Sequence, residues 1–135
     1  MAKKILLIED EPQQIEIYEK AIGEAGFEIE SLKWGEEGLE RLEEIKSKKK
    51  EKPDLVLLDL ILPDINGIVI LEKAKSDSEL KDIPFFILTN YSDPELEKMG
   101  KDLGVERHII KTDVTPSQLS KLIKEWFKKQ SKLKD

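Results

Sequence analysis

The sequence predicts an α/β domain: a doubly wound, five-stranded parallel sheet in the order 2-1-3-4-5, with helices on both faces. Three observations lead there. Short apolar runs recur without polar alternation, as in strands covered on both sides. Stretches with apolar residues at helical spacing separate them. The strand–helix pair repeats five times in 135 residues, the size of one domain.

The strongest strands are "KILLIE" (4–9), "DLVLLD" (54–59) and "IPFFILT" (83–89). Two weaker ones are "FEIESL" (27–32), which alternates as an edge strand does, and "ERHIIK" (106–111). The first helix is expected over 12–25, with Pro12 in its first turn, Ile15, Tyr18, Ile22 and Ala25 on one face, and Gly26 as its stop. The second, over 36–50, places Leu39, Leu42 and Ile45 at helical spacing. A third follows the turn pair Asn66-Gly67 over 67–77. Ser92-Asp93-Pro94-Glu95 and Thr115-Pro116-Ser117-Gln118 both have capping-box spacing and open the last two helices. Leu119, Leu122, Ile123 and Trp126 then form an apolar stripe, which assigns Trp126 and Phe127 to helix packing. Right-handed crossovers leave few topologies for this order. In the one predicted, strands 1 and 3 are neighbours and a crevice opens at their carboxyl ends.

Composition excludes several classes. The chain has no cysteine, which removes disulfides, thiolate metal sites and cysteine nucleophiles. No apolar run approaches the ~20 residues of a membrane span, and "MAKK" leads into too few apolar residues for a signal peptide, so a cytoplasmic location is expected. A net charge of −6 argues against direct nucleic-acid binding, which needs a basic face. Charged residues make up 39% of the chain, a richness found among thermophile proteins. The basic run "KSKKKEK" (46–52) reads as a solvated surface lengthening helix 2 and its loop. There is no phosphate-cradling glycine loop of either nucleotide-binding type.

The chemistry collects at the predicted crevice. Glu9 and Asp10 end strand 1 and Asp59 ends strand 3. Like charges ~4 Å apart repel by roughly 4 kcal/mol at an effective dielectric of 20, so such a cluster needs compensation. Oxygen-only ligands select a hard divalent cation, and few protein ligands with waters left over favour Mg²⁺, with Mn²⁺ as the alternative. Thr89 closes strand 4 with a hydroxyl and Lys111 closes strand 5 with an ammonium. Metal, carboxylate, hydroxyl and ammonium around one point meet the needs of phosphoryl transfer, with Asp59 as nucleophile. Glu11 is assigned instead to the first turn of helix 1, where negative charge is favoured. Three functions stay open on the residues alone: a phosphorylation switch, a Mg²⁺-dependent phosphohydrolase using Asp59, and a phosphate-independent interaction module.

"ILLIEDEP", "PDLVLLDLILPDING", "FFILTN" and "HIIKTD" resemble, in order and spacing, the signature segments of response regulator receiver domains. The resemblance covers about residues 3–128, giving a domain over 1–130 and a short basic tail over 131–135. It implies a flavodoxin-like (βα)5 fold and a switch rather than an enzyme. Asp59 would accept phosphate from a histidine kinase or phosphotransfer protein. Asp10, Asp59 and the main-chain carbonyl of Ile61 would hold the metal, with Glu9 acting through water. Thr89 and Lys111 would bind phosphoryl oxygens and report to the helix 4–strand 5–helix 5 face, and so to a downstream protein. Ile61 and Tyr91 would flank the hydrolytic water. The resemblance implies a monomer or a weak phosphorylation-dependent dimer, standing alone or as part of a longer regulator. Three positions depart from the pattern. Glu9 stands where aspartate is common, and Thr112 replaces a proline that often follows a cis bond. His108 sits where a Tyr or Phe often swings inward.

Overall fold

The unalternating runs become strands because both faces of the sheet are covered. In the computed structural model, which describes residues 2–134, the elements are β1 (Lys4–Ile8), α1 (Pro12–Glu24), β2 (Glu28–Leu32), α2 (Gly35–Lys46), β3 (Leu55–Asp59), α3 (Ile68–Ser76), β4 (Phe85–Thr89), α4 (Pro94–Asp102), β5 (Arg107–Ile110) and α5 (Pro116–Lys134). All strand pairs are parallel, in the order β2-β1-β3-β4-β5, as the sequence predicts.

Side chains alternate across the sheet. Ile5, Leu7, Leu55, Leu57, Phe86 and Leu88 point one way, onto Ile15, Tyr18 and Ile22 of α1 and Leu119 and Ile123 of α5. Leu6, Ile8, Val56, Leu58, Phe85 and Ile87 point the other way, onto Leu42 and Ile45 of α2 and Ile70, Leu71 and Ala74 of α3. The packing assigned to α5 is present. Trp126 meets the Phe86 ring edge-on with centroids 5.8 Å apart, and Phe127 lies 5.6 Å from Phe27.

Differences from expectation lie at element ends. α2 stops at Lys46, not residue 50. Lys48 takes a left-handed φ of 67°, and the amides of Lys48 and Lys49 turn back to the carbonyls of Ile45 and Glu44. Within the basic run, Lys46 pairs with Asp77 at 2.9 Å, and the rest is exposed. The cap of α4 is Asp93, not Ser92: Asp93 Oδ1 accepts from the amides of Glu95 (3.0 Å) and Leu96 (3.3 Å). Pro94 takes the first helical position, which makes the residue before it the cap. The Thr115–Gln118 box forms as predicted, at 3.0 and 2.8 Å. Glu11 takes the N-cap position of α1 and its side chain caps nothing there. Residues 131–134, expected as a tail, continue α5, because no Gly or Pro follows Pro116 to end the helix. Asp135 lies outside the described residues. β5 ends at Ile110, so Lys111 opens a 3-10 turn over Lys111–Asp113. No cis peptide bond occurs among the described residues, so the Lys111–Thr112 bond is trans. No described helix is long and apolar enough to cross a membrane.

Candidate functional site: an acidic pocket at the carboxyl edge of the sheet

Strand register brings the site together. Ile8 pairs with Leu58, so the next residues, Glu9 and Asp59, emerge side by side. Asp59 pairs with Leu88 and Thr89 with Ile110, which places Thr89 and Lys111 on the same edge. Glu9, Asp10 and Asp59 each present a carboxylate oxygen within 4.8 Å of the others. Glu9 and Asp59 are buried, at 1% and 4% exposure, whereas Asp10 is half-buried.

Lys111, also buried, bridges the two buried acids. Its Nζ donates to Glu9 Oε1 at 2.7 Å and to Asp59 Oδ2 at 2.9 Å. The second oxygen of Asp59 accepts from the amide of Ile61 at 2.9 Å. Asp59 is thus held at both oxygens, one by main chain and one by an ammonium.

The turn after Asp59 depends on a glycine. The Gly67 amide donates to Leu60 O at 2.7 Å, drawing its backbone onto β3. A Cβ on Gly67 would lie 2.5 Å from Asp59 O and 2.8 Å from Leu60 Cα, so no other residue fits without moving the Asp59 backbone. Asp64, in the same turn, accepts from the amides of Gly35 and Glu36 at 2.8 Å each and so caps α2. Sequence reasoning missed this role. The acceptor lies almost thirty residues from its helix, and only the fold brings them together.

Thr89 Oγ1 donates to the carbonyl of Tyr91 at 3.0 Å and lies 3.4 Å from His108 Nε2. His108 therefore packs inward, next to Thr89. The side chains of Ile61 and Tyr91 are mostly in solvent, at 57% and 70% exposure.

Charge is unbalanced here, with three carboxylates against one ammonium. Burial, reinforced by the neighbouring Asp59, pushes Glu9 up to about 8 despite the pull of Lys111. Burial opposes the Lys111 ammonium, but its bonds to Glu9 and Asp59 outweigh that and hold its pKa above the ordinary value. A raised carboxylate among oxygen-only donors is the environment a hard divalent cation would relieve. The residues present fit Mg²⁺.

A doubly wound sheet with three acids and a lysine at one switch point has the donors that a divalent cation and a phosphoryl group require. The chain matches the response regulator receiver domain model over residues 5–124 and belongs to that family. It is 28% identical over 116 residues to the polar-differentiation response regulator DivK of Brucella anthropi, covering 86% of this chain and 89% of that one. It is 30% identical over 112 residues to the alkaline phosphatase synthesis transcriptional regulatory protein PhoP of Bacillus subtilis, covering 82% of this chain and 43% of that one. The solved CheY-like receiver domain protein of Methanospirillum hungatei superposes with a TM-score of 0.83 at 28% identity, covering 98% of both chains. The chain spans half or less of several curated relatives, including a probable transcriptional regulator of Porphyridium aerugineum (50%) and PhoP. Receiver domains are signalling modules of two-component systems. They take phosphoryl groups from histidine kinases or phosphotransfer proteins and bind Mg²⁺ at an acidic pocket, and the Glu9, Asp10 and Asp59 group of this chain fits such a pocket.

Proposed function

We propose that the chain is a phosphorylation switch in which Asp59 receives the phosphoryl group from a phosphohistidine of a cytoplasmic kinase or phosphotransfer protein. One observation carries this reading: Asp59 sits buried between two acids and Lys111, with both of its oxygens fixed. A carboxylate oxygen of Asp59 attacks phosphorus in line, the P–N bond breaks, and its electron pair leaves on the imidazole nitrogen. The Asp59 oxygens are aimed before the donor arrives, so little reorganisation opposes attack. Glu9, Asp10, Asp59 and the main-chain carbonyl of Ile61 would hold Mg²⁺, which when bound offsets the charge that gathers on the phosphoryl oxygens.

Lys111 is the ammonium placed to move from Asp59 Oδ2 to a phosphoryl oxygen once that carboxylate has become an acyl phosphate. Thr89 is the hydroxyl placed to donate to another. Both lie at ends of β4 and β5, so their movement biases α4, β5 and α5, the face read by a downstream protein. Catalysis is limited to transfer onto Asp59 and slow hydrolysis from it, with Ile61 and Tyr91 beside the water's approach. Incubation with Mg²⁺ and acetyl phosphate, followed by intact-mass measurement, tests the reading. A gain of one phosphoryl group supports it, and an unchanged mass under conditions that saturate the metal rejects it.

A further inference from the structure

His108 is the one histidine of the chain, and its ring stands between two unequal environments. Nε2 is 3.4 Å from Thr89 Oγ1, long for a hydrogen bond but within contact. Nδ1 is fully buried and has no hydrogen-bond partner. The single hydrogen of the Thr89 hydroxyl is already given to Tyr91 O, at 3.0 Å. Toward His108, Thr89 Oγ1 can only accept. The ring nitrogen facing it must then be the donor. The opposite tautomer would aim two lone pairs at each other and bury an unpaired N–H at Nδ1.

We infer that His108 is a positioning residue: as the Nε2–H tautomer it donates to Thr89 Oγ1 and keeps that hydroxyl a donor toward the phosphoryl group. The inference deepens the proposed function and rests on Asp59 as phosphoacceptor. Thr89 has one hydrogen to give. In the unphosphorylated chain it goes to Tyr91 O, and in the phosphorylated chain it goes to a phosphoryl oxygen. An acceptor at position 108 would compete for it. A donor there leaves it free and fixes Oγ1 as the pivot about which it turns. Register supports the pairing, because Ile87 pairs with His108 and Thr89 with Ile110, putting Thr89 and His108 on the same side of neighbouring strands.

Two measurements test this. Two-bond ¹⁵N–¹H spectra of the unphosphorylated protein read the tautomer of its single histidine without assignment ambiguity. The Nε2–H pattern is expected, and the Nδ1–H pattern overturns the inference. Second, beryllofluoride, a phosphoryl mimic, is titrated at saturating Mg²⁺ into wild type, His108→Gln and His108→Phe. Gln retains an N–H donor and should bind within about twofold of wild type. Phe has none and should bind roughly two- to tenfold more weakly, the factor a net hydrogen bond contributes. Equal affinity of Phe and wild type, or equal loss in Gln and Phe, overturns the donor role. If wild type binds no beryllofluoride at all, the reading of Asp59 falls, and the tautomer still decides the state of His108.

Discussion

Lys111 Nζ stands 2.9 Å from Asp59 Oδ2 and neutralises it from the turn that follows β5, across a strand that separates β3 from β5 in the sheet. The same ammonium reaches Glu9, just past the end of β1, at 2.7 Å. One lysine therefore ties three strands at the carboxyl edge and keeps two buried acids compatible.

Replacing Lys111 by Met should leave those acids facing each other unpaired. Removing one partner of a buried ion pair costs about 3–5 kcal/mol. The loss should be smaller below about 8, where Glu9 holds its proton, than in more alkaline buffer, and Mg²⁺ should restore part of it. Urea unfolding of both proteins, with Mg²⁺ and with chelator, measures this. Equal midpoints in chelator would show that the bridge adds nothing to stability.

The raised Glu9 sets a second expectation, for the metal-free protein. Between the ordinary Glu value and about 8, the folded chain holds a proton that the unfolded chain has released. Stability from this group is complete below the ordinary value and is lost as pH rises through about 8. Mg²⁺ must displace that proton, so its affinity should rise over the same range. Glu9→Gln should flatten both trends. Thermal melts in chelator and Mg²⁺ titrations across that window check the sign; a metal-free melting point that climbs with pH through it would contradict the assignment.

The Gly67 contact with β3 gives a third. Gly67→Ala would push a methyl to 2.5 Å from Asp59 O, so the Asp59 backbone must shift. Overpacking of this kind costs about 1–3 kcal/mol, and a displacement of ~1 Å at a reacting group can cost about 100-fold in rate. The variant should fold less stably and take phosphate from acetyl phosphate far more slowly. Unchanged kinetics would mean that the turn tolerates the methyl.

Ile61 and Tyr91 lead to a fourth. Neither offers a carboxylate or amide to orient water near the phosphoryl group, so the phosphorylated state should be long-lived. Ile61→Asn/Tyr91→Glu should shorten it, since both side chains are exposed enough to change without disturbing the core. Decay after donor removal is the measurement. A double variant that decays no faster would exclude these side chains as the cause.

Much of this architecture was legible in the sequence. The runs 4–9, 54–59 and 83–89 read as two-sided strands because burial on both faces removes alternation, and that same order placed Glu9, Asp10, Asp59, Thr89 and Lys111 on one edge. What escaped was set by partners distant in the chain or by local competition. Asp64 caps a helix almost thirty residues away. Pro94 hands the α4 cap to Asp93 instead of Ser92. Lys48 turns left-handed and ends α2 early, where the charged run alone suggested more helix. The inward position of His108 depends on strand register, which the run 106–111 does not disclose by itself.

The central claim is that Asp59 is the phosphoacceptor, and its most direct test is site-resolved phosphorylation. Wild type and Asp59→Asn are incubated with Mg²⁺ and acetyl phosphate, weighed intact, and mapped by peptide mass. Asn keeps the shape and an oxygen for the Ile61 amide but removes the nucleophile, and circular dichroism confirms that the variant is folded. Wild type should gain one phosphoryl group on the peptide carrying residue 59, and the variant none. Equal labelling of the two proteins, or a phosphoryl group mapped elsewhere in the wild type, would contradict the account.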